Sequence, residues 1–255
     1  MNKMRRVLTI PVASAVSALC ALAVTTPAHA ITNGDPASET YAFMGSVQYP
    51  GQSPRSDMHG CGATLISDQW MVTAGHCLIG GRDPKQVRIG SSHTDRGGEL
   101  VEIEKTFPLH LTVTFGSDVG LIKLKNPVEA KPVTIADHAP AANAPLRVLG
   151  WGETSLECTD DTCWPKDLRE LDTKRLPAEH EDCEGTLGEE ICVGSVGEKM
   201  PSDMDSGGPA LNKEDDGTWR VAGVTSGPSW TERAVGYTDV TAFRMWVKET
   251  MAANK

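Results

Sequence analysis

From about residue 43 onward, apolar or alternating runs are set between clusters of glycine, proline and aspartate. Residues 43–49, 63–66, 70–73, 86–89, 100–107, 120–124, 146–150, 168–176, 220–225 and 234–239 form such runs. Their shortness, their β-branched content and the frequent turns between them predict strands, and many short strands predict barrels or sandwiches. The last segment breaks the pattern. Val240, Phe243, Trp246, Val247 and Met251 recur at helical spacing, and Thr238 or Asp239 can cap the start. There is no internal repeat or low-complexity tract. Residues 125–145, with four prolines and several alanines, are the best divide between two β units.

The N-terminus follows a different logic. Lys3, Arg5 and Arg6 precede an apolar, small-residue run over residues 8–24, which ends in Ala28-His29-Ala30. This is the pattern of a secretory signal cleaved after Ala30. A membrane anchor is the rival reading, but Pro11, Ser14, Ser17, Thr25 and Pro27 interrupt the run and shorten it below a clean span. The full chain carries 24 basic and 34 acidic residues; the leader holds three of the basic ones and no acid, so residues 31–255 carry 21 against 34, a net charge of −13. That balance argues against nucleic acid and anionic membranes as partners. Cys20 departs with the leader, and Cys61, Cys77, Cys158, Cys163, Cys183 and Cys192 remain. An even number in an exported chain predicts three disulfides, with about 15 connectivities open on spacing alone. For Cys158 and Cys163 a metal site is the alternative, but no histidine or cysteine pair at zinc spacing accompanies them. The acidic clusters at 99–104 and 181–190 read as solvated faces, so no calcium, other metal or cofactor is expected.

The chemistry lies in three segments. Asp203-Met204-Asp205-Ser206-Gly207-Gly208-Pro209 sets a serine on a glycine-flanked turn, where backbone N–H groups can face a developing oxyanion. Alone, it could be a polar β-turn. Thr73-Ala74-Gly75-His76-Cys77 adds a histidine, and Ser117-Asp118-Val119-Gly120-Leu121-Ile122-Lys123-Leu124 adds an aspartate ahead of an apolar run. A serine hydroxyl needs an adjacent base, and a partly buried aspartate needs a partner. The order His, Asp, Ser in these contexts resembles the chymotrypsin/trypsin family of serine endopeptidases, over nearly all of residues 31–255. Within it, the resemblance is to secreted bacterial, actinobacterial members.

The resemblance implies an all-β fold: two antiparallel six-stranded β-barrels, residues 31–139 and 140–255, the second carrying a C-terminal α-helix. It implies Ser206 as nucleophile, His76 as base, Asp118 as the group orienting His76, and the N–H groups of Met204 and Ser206 as an oxyanion hole. It pairs the N-terminal amine of Ile31 with Asp205; because Ile31 directly follows the Ala28-His29-Ala30 site, cleavage of the leader would itself free that amine, with no zymogen stage. It selects Cys61–Cys77 and Cys183–Cys192 as disulfides, leaving Cys158–Cys163 as a local clasp. Ser226 resembles the serine that supports Asp118 and also lies at the substrate pocket, with Met200 at its floor and Val235 in its wall. The sequence departs from the family at several of these points. Met204 stands where glycine is usual, Ser202 where the first cysteine of a bridge beside the nucleophile would be, and Met200 where trypsin-like members have aspartate. An apolar pocket leaves nothing to pair a buried arginine or lysine, so small to medium apolar residues are expected there. The implied activity is hydrolysis of peptide bonds by a secreted monomer acting on protein or peptide substrates, with protein protease inhibitors as further partners. Two alternatives stay open: a weak or inactive homologue acting as a binding protein, and an esterase using the same triad.

Overall fold

The computed structural model describes residues 31–154, 163–231 and 233–255. The predicted leader with its Ala28-His29-Ala30 site, and Cys158 of the predicted clasp, lie outside the described residues.

A short strand β1 (Asp35–Pro36) precedes six strands: β2 (Met44–Gln48), β3 (His59–Ser67), β4 (Trp70–Thr73), β5 (Gln86–Ile89), β6 (Glu99–Pro108) and β7 (Gly120–Leu124). These six close into a barrel in the order β2-β3-β4-β7-β6-β5. Period-two alternation is clean in β5, where Val87 and Ile89 point inward between Gln86 and Arg88; β2 is buried along its whole length, and Met44, Val47, Ala63, Leu65, Met71, Leu121 and Leu124 are fully buried with them.

The second half contains β8 (Thr134–Ile135), β9 (Pro145–Gly150), β10 (Arg169–Lys174), β11 (Glu190–Gly194), β12 (Pro209–Lys213), β13 (Trp219–Thr231) and β14 (Ala234–Asp239). Two six-stranded barrels were expected; the second is realised as an eight-stranded sheet. Its path is β1-β10-β9-β12-β13-β14-β11, with β8 parallel to β13. The sheet rolls until β11 meets the end of β10, where the seam holds an isolated bridge between Arg175 and Val193, the bond from Leu176 N–H to Cys192 O (2.8 Å) and a bond from the Thr173 hydroxyl to Gly194 O. The segment that opens the described chain crosses to this half, where β1 pairs with β10.

The C-terminal segment is a 3-10 turn over Val240–Phe243, started by the Asp239 carboxylate accepting from Thr241 N–H (2.9 Å), followed by α1 (Arg244–Ala253). Val240 and Val247 are buried in a core that also contains first-barrel residues, while Phe243, Trp246 and Met251 pack partly buried against it. The site lies where the two halves meet.

Candidate active site

His76 lies on the 3-10 turn Gly75–Leu78 directly after β4. The disulfide from Cys77 to Cys61 ties that turn to β3. Asp118, 4% exposed, precedes β7, and β7 pairs with β4, so the barrel itself brings the two residues together. The Asp118 carboxylate accepts from the His76 backbone N–H (2.7 Å, Oδ1) and lies 2.6 Å from His76 Nδ1 (Oδ2). Gly75 is needed here, because a Cβ would sit 2.9 Å from Asp118 Oδ1. Cys61, His76 and Cys77 gather closely enough to suggest a metal site. The two sulfurs are bonded to each other, so they offer no thiolate.

Ser206 stands in the turn before β12. Its carbonyl accepts from Gly62 N–H of the first barrel (2.7 Å), and Gly207 N–H donates to Thr225 O of β13 (2.8 Å). Gly207 has φ +77°, and a Cβ there would fall onto Thr73 Oγ1 and Gly62 O. Ser206 and His76 line the same cleft, about 910 Å³ in volume, which also takes in Met200, Ser226, Gly227 and Val235.

Met204 has φ +70°, a left-handed conformation despite its side chain. Its carbonyl is held by His59 Nε2 at 3.1 Å. Next to it, Asp205 is 1% exposed. Its carboxylate accepts from Gly152 N–H (2.8 Å) and Ser202 N–H (2.9 Å), and no ion pair to it exists among the described residues. Burial pushes this carboxyl up to about 7 against the pull of those bonds. Ser202, the residue in place of a cysteine, donates its hydroxyl to Glu153 O at 2.5 Å. Ile31 is 1% exposed and packs in the core of the second sheet with Met200, Val235 and Tyr237. Thr32 bridges to Met200.

One expectation is corrected. The Ser226 hydroxyl donates to Gly236 O (3.3 Å) and makes no bond to Asp118; the Asp118 carbonyl receives Thr238 Oγ1 instead (3.1 Å). The β13–β14 register shifts after Thr225, which directs Ser226 toward β14. The disulfides Cys61–Cys77 and Cys183–Cys192 are present, and Cys163 is disulfide-bonded as well.

Several cleft residues escaped the sequence reading. Leu111, Val113 and Phe115 line it and are exposed, as does Arg82. The signal for the first three was an alternating apolar run, Leu111-Thr112-Val113-Thr114-Phe115, just ahead of Asp118 in a segment that forms no strand. Glu153 and Asp203 make one rim acidic; burial and then the Asp203 charge raise the Glu153 carboxyl. No helix among the described residues is long and apolar enough to cross a membrane.

Residues 31–247 match the family model described as Trypsin. Trypsin-3 of Homo sapiens is 32% identical, over 79% of this chain and 68% of the human protein. A trypsin of Sarcophaga bullata is 32% identical over 91% of this chain and 94% of its own. Chymotrypsin-like elastase family member 3B of Macaca mulatta is 31% identical over 89% and 96%. Among solved structures, mouse neuropsin, a serine protease, superposes with a TM-score of 0.71 over 87% of this chain and 100% of its own, at 22% identity.

Proposed function

The chain belongs to the trypsin family and is a serine endopeptidase; from that premise we propose that Ser206, His76 and Asp118 carry its reaction. The observation that carries this reading is the double contact of Asp118 with His76 in the cleft that Ser206 lines. A carboxylate only accepts, so His76 Nδ1 carries the proton and Nε2 is left free as base. Ser206 Oγ attacks the scissile carbonyl carbon while His76 Nε2 takes its proton. The carbonyl oxygen becomes an oxyanion, received by the N–H groups of Ser206 and Met204. Collapse breaks the C–N bond, and the leaving amine takes the proton back from His76. Water, activated by the same nitrogen, then hydrolyses the acyl-enzyme.

Asp205 is the second part of the proposal. A buried carboxylate without a cation is costly, and Ile31 is already packed in the adjoining core. Cleavage after Ala30, by the peptidase that removes the leader during export, creates an α-amino group to pair with Asp205. The protein is thereby secreted in active form, as a monomer acting on proteins and peptides.

Met200 and Val235 make the floor and wall of the primary pocket apolar and narrow, which favours small to medium apolar residues before the cut bond. Turnover of a peptide amide, lost in Ser206→Ala, tests the reading. Hydrolysis of simple esters alone would make the protein an esterase, and no turnover of either would make it a binding protein.

A further inference from the structure

Behind the oxyanion turn lies a buried network with no counterpart in the motifs above. Arg55 and Asp57, 4% and 5% exposed, form a two-point ion pair: Arg55 Nε to Asp57 Oδ1 (2.9 Å) and Nη2 to Oδ2 (2.6 Å). Thr94 Oγ1 also donates to Asp57 Oδ2 (2.5 Å). Burial alone would raise the Asp57 carboxyl; the bonds and charge of Arg55 bring it below its ordinary value. From this pair two arms reach the turn. In the first, Asp57 Oδ1 accepts the His59 backbone N–H (3.2 Å), and the fully buried His59 ring reaches the Met204 carbonyl through Nε2 (3.1 Å). A carbonyl only accepts, so Nε2 carries the proton and Nδ1 accepts from the Ser46 hydroxyl at 2.8 Å. The ring is neutral, held far down at about 3 by burial and by the Arg55 charge. In the second arm, Arg55 Nη1 donates to Trp151 O (2.6 Å), and the next residue's N–H, from Gly152, donates to Asp205 Oδ1 (2.8 Å). Arg55 Nη2 also donates to Pro165 O (2.8 Å). The two arms therefore grip the two residues that precede Ser206.

This matters because Met204 is left-handed without being glycine. A side chain disfavours that conformation, and such strain persists only where the surroundings over-determine it. We infer that the Arg55–Asp57 pair is a positioning device for the reaction: through His59 on the Met204 carbonyl, and through Trp151–Gly152 and the adjoining Glu153 N–H, which donates to Asp203 O (2.8 Å), it fixes the peptides on both sides of left-handed Met204 so that the Met204 N–H faces the oxyanion, a task glycine performs unaided. The inference rests on the reading of Met204 as an oxyanion donor.

The test is a kinetic cycle on the enzyme with a free Ile31. The pair replacement Arg55→Met with Asp57→Leu removes both charges together, which buried pairs tolerate far better than loss of one partner. On a peptide amide it lowers kcat about 10- to 100-fold with KM little changed, on the scale of a weakened oxyanion donor. In a Met204→Gly background the same replacement costs less than about threefold, because the coupled strain is gone. Equal costs in the two backgrounds, or a loss confined to KM, would overturn the inference while leaving the Ser206 reading intact. Should the pair replacement not fold, Arg55→Lys, which keeps the charge and loses the fork, is compared in the same two backgrounds. If the unsubstituted enzyme fails to react with a fluorophosphonate, the reading of the site fails, and this inference with it.

Discussion

Asp118 receives His76 at two points, its Oδ2 lying 2.6 Å from Nδ1 and its Oδ1 2.7 Å from the backbone nitrogen. The pair fixes both the ring and the turn that carries it. Asp118→Asn keeps the volume but offers only one acceptor and sets an amide donor against one of the two N–H groups. It is expected to lower kcat on a peptide amide by about 10³- to 10⁴-fold at neutral pH, with KM within about threefold. A loss under tenfold would show that His76 is oriented by something else.

Asp205 sets a pH signature that depends on whether Ile31 is free. In the uncleaved chain its carboxyl stays protonated to about pH 7, against an ordinary value of 3.8 when unfolded. Between those values the unfolded state binds fewer protons, so stability falls as pH rises from about 4 to about 7 and then levels. Once an α-amino group pairs with it, the carboxylate is charged throughout that window and the fall disappears. The contribution of the pair is then lost only above about pH 8, where the amine deprotonates. Urea midpoints from pH 4 to 9 should differ in this way between a chain extended by one residue before Ile31 and one that begins there. Parallel curves would refute the pairing.

The pocket wall is the most direct handle on specificity. Val235, 3% exposed, faces the cleft from β14 beside Met200. Val235→Gly should raise kcat/KM for an aromatic residue before the cut bond by about tenfold relative to alanine, in line with a few methylenes of added space. An unchanged ratio would place the primary pocket elsewhere.

The disulfide between Cys61 and Cys77 closes a loop with a sequence separation of 16 and carries His76 on its edge. Replacing both cysteines by alanine is expected to lower unfolding free energy by about 3 kcal/mol and to reduce kcat further through a looser His76 turn. Chemical denaturation and peptide turnover on the same sample check the two effects separately.

Periodicity made much of this fold legible. The bounds of β4, β5, β7 and β14 coincide with runs visible in the sequence, and the three segments that carry His76, Asp118 and Ser206 stood out because each pairs a reactive residue with glycine or an apolar run. Other parts were hidden for physical reasons. Gly60 and Gly62 disguised the start of β3, where the missing side chains make room for Tyr49 and for the Gly208 backbone. β11 and β12 went unread because acidic and Ser-Gly-Gly-Pro neighbours resemble loop. The position of Ser226 depends on a register shift between strands that no local pattern announces. The Arg55–Asp57 pair lies in a stretch of polar and turn residues, and only the tertiary fold turns those side chains into the interior.

Ser206 as an activated nucleophile in a formed oxyanion site is open to direct titration. Residues 31–255, prepared with Ile31 as a free N-terminus, would be titrated with an active-site fluorophosphonate and the adduct located by mass spectrometry. One equivalent on Ser206, absent in Ser206→Ala and accompanied by loss of peptide turnover, is the predicted result. A folded, disulfide-bonded protein that takes no label would mean that the oxyanion site is collapsed and would leave the chain a binding protein on a protease fold.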